Sequence, residues 1–87
     1  MIVITGAAGF IGSCIVAKLN GLGKNDLILV DHYEGNDDPK KRNLVGKEYV
    51  RFLDKQEFLK DIEQNPTSYS PWAVEGVKLL KDKHFFD

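Results

Sequence analysis

The sequence predicts an α/β fold: a parallel sheet of about three strands with helices between them, and an additional helix at the carboxyl end. Residues 2–4 and 26–31 are short apolar runs without polar alternation, which is typical of strands buried on both faces. A glycine-rich turn and a stretch of helical periodicity lie between the two runs. Strand, turn, helix and strand in this order form a βαβ unit, the opening part of a doubly wound, Rossmann-type sheet.

The composition is that of an ordinary globular chain, whereas the short length allows only a marginal core. The protein has 87 residues, of which 43% are hydrophobic and 29% charged, and its formal net charge is -1. This balance gives no reason to expect nucleic acid or an anionic membrane as a partner. The apolar opening is too short for a signal peptide or a membrane span. Cys14 is the only cysteine, which excludes an internal disulfide and a cysteine metal cluster and fits a reducing, cytoplasmic setting.

The first helix is predicted over residues 9–22. Apolar residues recur there every four positions, and we expect this stripe and its apolar neighbours to face the core. The stop signals are Asn20-Gly21 and Gly23. Cys14 is expected to be a small core residue on this stripe. The stripe and its neighbours are Ile11, Ile15 and Leu19, with Phe10, Cys14 and Leu22.

The remaining segments are predicted as loop, strand, helix and tail. Residues 32–47 are polar and indicate a loop with at most one short helical turn near residues 43–45. Residues 48–53 are predicted as the third strand, followed by a helix that ends at Asn65-Pro66. The core face of that helix comprises Phe58, Leu59 and Ile62. The tail, residues 66–87, has a separate helix signal in Ser70, Pro71, Val74, Val77 and Leu80.

The turn after the first strand carries glycines in the order G-x-x-G-x-x-G. Gly6 allows a sharp turn, Gly9 allows the backbone to approach a pyrophosphate, and Gly12 allows the helix to pack closely on the sheet. The N–H groups of the first helical turn then face the phosphate oxygens. Asp31 ends the second strand and is placed to accept hydrogen bonds from the adenosine ribose. Together these features predict a site for NAD or NADP, the alternative being a tight turn without a ligand.

The residues themselves leave the choice between NAD and NADP open. Asp31 favours a free 2′-hydroxyl, whereas the basic run at residues 40–42 is able to neutralise a 2′-phosphate. The same run is equally explained as solvated charges that offset the acidic patch before it. His32 is a candidate neighbour of the adenine or an exposed loop histidine. Lys55 has the pattern of a surface lysine.

Four segments carry a resemblance to a known family: residues 2–13, Leu29-Val30-Asp31, Lys40-x-x-Asn43-Leu44 and Asp54-Lys55. In these segments the chain resembles the amino terminus of extended short-chain dehydrogenase/reductases of the NAD-dependent epimerase/dehydratase family. Within that family it is most similar to the ADP-glyceromanno-heptose 6-epimerases. The resemblance implies a nucleotide-sugar epimerase of lipopolysaccharide core biosynthesis that uses NADP rather than NAD. The cofactor-contacting positions that it implies are Phe10, Ile11, Asp31, His32, Lys40 and Lys55.

The resemblance covers residues 1–65, which we assign to the amino-terminal part of a dinucleotide-binding domain, with residues 66–87 as a divergent tail. The catalytic Tyr-x-x-x-Lys pair of such enzymes has no counterpart, because the positions four residues after the three tyrosines are Asp37, Leu53 and Ala73. We therefore assign no catalytic residue and expect a truncated chain, inactive alone, whose tail comes from a shifted reading frame.

Two other interpretations stay open: a non-catalytic dinucleotide-binding or protein-interaction module, and part of another sugar-nucleotide epimerase or dehydratase. A sheet of about three strands leaves an edge and apolar faces uncovered. We therefore expect self-association or a partner chain that covers the open sheet.

Overall fold

The computed structural model describes residues 1–69 and Val74. The chain divides into two compact units, residues 1–55 and 56–87. The predicted tail helix lies outside the described residues, apart from Val74, which is helical. The elements in chain order are β1 (Ile2–Thr5), α1 (Phe10–Gly21), β2 (Leu27–Asp31), the 3-10 helix η1 (Pro39–Leu44), β3 (Arg51–Asp54), α2 (Lys55–Gln64) and the 3-10 helix η2 (Pro66–Ser68).

The three strands form an open parallel sheet in the order β1-β2-β3, which confirms the predicted α/β fold. In the register, Thr5 at the end of β1 pairs with Val30, and Asp31 at the end of β2 pairs with Asp54 at the end of β3. Parallel strands need crossover connections, and α1 provides the first of them. All three carboxyl ends therefore lie at one edge of the sheet, where open α/β sheets bind their ligands.

The central strand β2 is buried as predicted, with its first four residues no more than 4% exposed. The prediction of double burial for residues 2–4 is wrong, because Ile2 is 38% exposed and Val3 is only partly buried. Within residues 1–69, β1 is an edge strand with a neighbour on one side only, which explains its exposure.

The third strand begins at Arg51, three residues later than predicted. The side chain of Asn20 is the cause. Its Oδ1 accepts the Glu48 N–H at 2.8 Å, and its Nδ2 donates to the Glu48 carbonyl at 2.9 Å. Because a helix side chain binds both backbone groups of Glu48, that residue is not part of the strand ladder. Pairing with β2 begins at Val50, whose N–H donates to the Leu27 carbonyl at 2.9 Å.

Helix α1 turns a different face to the core from the predicted one. Gly12, Ser13 and Val16 are its buried residues, and Leu19 is the only member of the predicted stripe that packs on the core cluster. A residue at position 12 must face the first turn, and positions 16 and 19 follow it along the same helix face. The predicted stripe is therefore rotated towards solvent, and the predicted core position of Cys14 is wrong. The exposed members are Phe10 (82%), Ile11 (73%), Ile15 (46%), Leu22 (59%) and Cys14.

The polar segment after β2 contains more helix than predicted. A short turn near residues 43–45 is expected from the sequence, but η1 already begins at Pro39. The Oδ1 of Asp38 accepts the Lys40 N–H at 2.9 Å, which caps η1, and Pro39 suits a first helical position. Leu44, at the other end, is buried in the core cluster. Capping and core packing together extend η1 over the whole basic run.

The core of the first unit lies between the sheet, α1 and η1. Its buried members are Ile4, Ala7, Ala8, Val16, Leu27, Leu29 and Leu44. The second unit is described from residue 56 to residue 69. It buries Phe58, Leu59 and Ile62 of α2, as predicted, and Tyr69 packs edge-to-face on Phe58 with ring centroids 5.7 Å apart. The Tyr69 hydroxyl donates to the Asp61 carboxylate.

Candidate functional site

The glycine turn between β1 and α1 is built around the carbonyl oxygen of Gly6. Gly6 has φ +65°, a left-handed conformation that favours glycine, and its carbonyl accepts the Gly9 N–H at 3.1 Å. A Cβ on Gly9 would lie 3.3 Å from this oxygen, and a Cβ on Gly12 would lie 2.1 Å from it. The three glycines therefore form one compact turn in which main-chain atoms touch main-chain atoms.

The first turn of α1 presents main-chain donors at this point. Gly9 is the N-cap, and the first intrahelical donor is the N–H of Ser13, which bonds to the Gly9 carbonyl at 2.9 Å. By helix geometry, the N–H groups of Phe10, Ile11 and Gly12 have no intrahelical acceptor. The first turn carries no acidic residue that would repel an anion. This helix end has the donors and the dipole that phosphate oxygens need.

Asp31 lies beside the glycine turn at the end of β2, with its side chain 11% exposed. Its Oδ2 accepts the Ala8 N–H at 2.8 Å, and its Oδ1 accepts the His32 N–H at 2.7 Å and the Lys40 Nζ at 3.0 Å. Burial raises the pKa of Asp31, but the hydrogen bonds from His32, Lys40 and Ala8 outweigh burial, so the pKa is lowered below its ordinary value. The carboxylate is therefore held charged and oriented.

Lys40 is the one member of the basic run that is bound to Asp31. Its Nζ also donates to the His32 carbonyl at 2.5 Å, and the hydrogen bond to Asp31 raises the pKa of Lys40 above its ordinary value. The ammonium of Lys41 instead lies 5.2 Å from the ring centroid of Tyr33, a cation–π distance. Two adjacent lysines thus have different neighbours, and Lys40 is the one at the site.

His32 and Lys55 each follow a strand-end aspartate directly. The Nδ1 of His32 lies 3.0 Å from the Oδ1 of Asp54, and its Nε2 lies 3.8 Å from the Oε1 of Glu34. His32 is 53% exposed at its side chain, whereas Lys55 begins α2 and is partly buried. The structure thus joins Asp31, His32 and Lys40 through hydrogen bonds beside the three glycines.

Sequence reasoning missed Asn43 as a site residue. Its Nδ2 donates to the Ala8 carbonyl at 2.8 Å, and so links η1 directly to the glycine turn. Its three-residue spacing from Lys40 places the two residues on one face once η1 forms, but the contact with Ala8, 35 positions away, has no signal in the sequence. The Lys40-x-x-Asn43-Leu44 motif of the family resemblance implies a cofactor contact for Lys40 and none for Asn43.

These residues fit a dinucleotide at the carboxyl edge of the sheet. The turn lacks a Cβ at Gly9, the helix end offers main-chain donors, and a charged carboxylate ends the second strand, where a βαβ dinucleotide site would hold a ribose hydroxyl. Asp31 already accepts three hydrogen bonds, so a ribose hydroxyl must take the remaining acceptor position or displace Lys40.

Metal-ligand clusters and membrane-spanning helices are absent from the part of the chain that the structure describes. No group of three or more His, Cys, Asp and Glu side chains is placed there to hold a metal ion. Among the described helices, none is both long and apolar enough to cross a membrane.

Comparison with known proteins gives a family and two relatives. The model of the family described as NAD dependent epimerase/dehydratase matches residues 2–71. The chain is also 36% identical over 77 residues to ADP-L-glycero-D-manno-heptose-6-epimerase of Nitratidesulfovibrio vulgaris strain DP4, and equally similar to that of strain Hildenborough. The alignments cover 88% of this chain and 22% of each relative, so the chain spans about a fifth of the length of these relatives.

Proposed function

The chain belongs to the NAD dependent epimerase/dehydratase family, and we propose that it binds NADP at its glycine turn in the service of a sugar-nucleotide epimerisation. Membership of the family implies a nicotinamide dinucleotide cofactor. The observation that carries the proposal is the hydrogen bond from the Ala8 N–H to Asp31, which joins the phosphate-facing turn to the ribose-facing carboxylate. Residues 1–65 are proposed as the amino-terminal part of the binding domain.

The proposed contacts lie at the glycine turn for the pyrophosphate and at Asp31 for the ribose. The pyrophosphate accepts hydrogen bonds from the N–H groups of Phe10, Ile11 and Gly12, next to the open backbone of Gly9. The ribose hydroxyls lie at Asp31. Of the remaining family positions, His32 and Lys55 border the adenosine. Gly6, which is assigned from its conformation and not from the family, shapes the turn.

The preference for NADP over NAD is assigned to Lys40. A carboxylate at the ribose repels a 2′-phosphate, but the Lys40 Nζ lies 3.0 Å from the Asp31 Oδ1 and neutralises it in place. The Lys40 side chain is 36% exposed, so a phosphate has access to its ammonium. This pairing supports NADP use despite the acidic residue.

The proposed substrate class is an ADP-linked heptose, as in the names of the two relatives, and the proposed process is lipopolysaccharide core synthesis in the cytoplasm. The 87 residues contain no Tyr-x-x-x-Lys pair. The role proposed for these residues is therefore to bind the cofactor, without turnover by the chain alone.

A further chain or a second copy is proposed to cover the open surfaces. The exposed α1 residues Ile11, Ile15 and Leu22 form an apolar stripe, and within residues 1–69 one edge of β1 has no strand beside it. Such surfaces favour association.

Calorimetric titration of the 87-residue chain with NADP and with NAD tests the proposal. We expect a Kd of about 1 mM or tighter for NADP, equivalent to about -4 kcal/mol, and weaker binding of NAD. The variant Gly9→Val should keep the helix content by circular dichroism and lose NADP affinity, because its side chain occupies the pyrophosphate approach. A folded wild-type chain that binds neither dinucleotide would refute the proposal. Epimerisation of ADP-heptose by this chain alone would contradict the proposal that these residues bind the cofactor without turnover.

A further inference from the structure

We propose that Asn43 is a positioning residue that couples the pyrophosphate turn to Lys40, so that the two ends of the dinucleotide site are held as one unit. The inference rests on the proposed dinucleotide site and adds a residue to it. Its basis is a closed circuit of contacts through Ala8, Asp31, Lys40 and Asn43.

The circuit begins at Ala8, the residue immediately before Gly9. Both backbone polar groups of Ala8 are bound by side chains: its N–H donates to Asp31 at 2.8 Å, and its carbonyl accepts the Asn43 Nδ2 at 2.8 Å. Ala8 is 0% exposed, so water does not replace a partner that is lost. The peptide groups on the two sides of Ala8 are therefore fixed by two separate elements.

Helix η1 closes the circuit. In a 3-10 helix, residues three apart lie above one another, and Lys40 and Asn43 have this spacing. Lys40 reaches the Oδ1 of Asp31 at 3.0 Å, and Asn43 reaches the carbonyl of Ala8. Leu44, the last residue of η1, is buried in the core cluster and anchors this end of the helix.

The arrangement gives Asn43 an effect at both ends of the ligand. Through Ala8 it holds the peptide that leads into the phosphate-binding donors, and through η1 it holds the backbone that carries Lys40. Fixing both before the ligand arrives removes ordering that binding would otherwise require. Loss of Asn43 should therefore weaken NADP more than NAD, because only NADP uses Lys40.

The experiment is a double-mutant cycle on the 87-residue chain, titrated with NADP and NAD. For Asn43→Ala we expect about tenfold weaker NADP binding and about threefold weaker NAD binding, the range of one or two lost hydrogen bonds. In the Lys40→Met background, Asn43→Ala should weaken NADP only as much as it weakens NAD. If Asn43 only stabilised the fold, the extra loss of NADP affinity would persist in the Lys40→Met background.

Two further variants complete the experiment: one replaces Asn43→Ala if that protein does not fold, and the other is a control for specificity. Asn43→Ser keeps a hydroxyl donor and should retain part of the differential effect if Asn43→Ala melts too low for titration. Asn36→Ala changes an exposed asparagine of the same segment and should leave both affinities within about twofold of wild type, as surface substitutions do.

The outcomes distinguish failure of the Asn43 inference from failure of the proposed dinucleotide binding. Equal losses for NADP and NAD at position 43, or losses that simply add to those of Lys40→Met, would overturn the coupling role of Asn43. Failure of the wild-type chain to bind either dinucleotide would instead refute the proposed function.

Discussion

The carbonyl oxygen of Gly6 lies where a Cβ on Gly12 would come within 2.1 Å of it. That hypothetical Cβ would also lie 2.9 Å from the α-carbon of Ala7, so the first turn and the first helix touch through their backbones. This close approach sets the rotation of α1 about its own axis. It explains why the helix buries Val16 and exposes Ile15.

The variant Gly12→Ala should destabilise the protein strongly. The obstructing atoms are backbone, which cannot rotate away as a side chain can, so the helix must move off the turn. We expect a loss of about 3 kcal/mol in the free energy of unfolding, measured by urea titration.

Gly21→Ala is the matched control for that change. Gly21 is the last residue of α1, and a Cβ there would meet nothing within 4 Å. Alanine is the better helix former, so this variant should gain about 0.5 kcal/mol. A Gly12→Ala protein as stable as Gly21→Ala would contradict the close approach of the two backbones.

A pair of apolar substitutions tests which face of α1 is buried. Val16 is 0% exposed and should lose about 2 kcal/mol of unfolding free energy when changed to alanine. Ile15 is 46% exposed, and Ile15→Ala should change stability by no more than about 0.5 kcal/mol. A larger loss of stability for Ile15→Ala than for Val16→Ala, in thermal or urea unfolding, would show that α1 buries the face expected from periodicity.

The acid dependence of stability should contain a contribution from Asp31. Its folded pKa lies below the ordinary value of 3.8, so the unfolded chain takes up the proton first as the pH falls. The stabilisation is therefore present above pH 3.8 and is lost as the pH falls through the folded pKa. Urea titrations from about pH 5 to about pH 2.5 should show falling stability in the wild type and a flatter profile in Asp31→Asn.

A remaining slope in Asp31→Asn is expected from Asp38. Hydrogen bonds from the N–H groups of Glu34 and Lys40 lower the pKa of Asp38 as well, and its contribution has the same sign. Identical profiles for wild type and Asp31→Asn would show that the partly buried Asp31 carboxylate adds no acid-sensitive stability.

The choice of dinucleotide should depend on Lys40 and not on its neighbour. Lys40→Met removes the ammonium beside Asp31, and we expect about tenfold weaker NADP binding with NAD binding little changed. Lys41→Met makes the same change of charge at a residue that lies over Tyr33, and it serves as the control. Equal effects of the two variants on NADP affinity would indicate a general charge effect and not a specific contact.

Features set by neighbouring residues in the chain were predictable. The βαβ unit, the buried second strand and the core face of α2 are local patterns, and the structure has all three. The glycine spacing predicted the turn because Gly6 must adopt a positive φ there. Periodicity failed for α1, since Ile11 and Ile15 have the spacing of a core stripe and are exposed.

The sequence by itself determined the order of the elements, the parallel sheet and the glycine turn, because each depends on the conformational preferences of short segments. Only the tertiary structure decided which face of α1 is buried, where β3 begins and which lysine binds Asp31. These depend on interactions between residues apart in the chain: Gly12 against Gly6, Asn20 on Glu48, and Asn43 on Ala8. A hydrogen bond across 35 positions leaves no periodic trace in the chain, and the packed structure alone brings its two ends together.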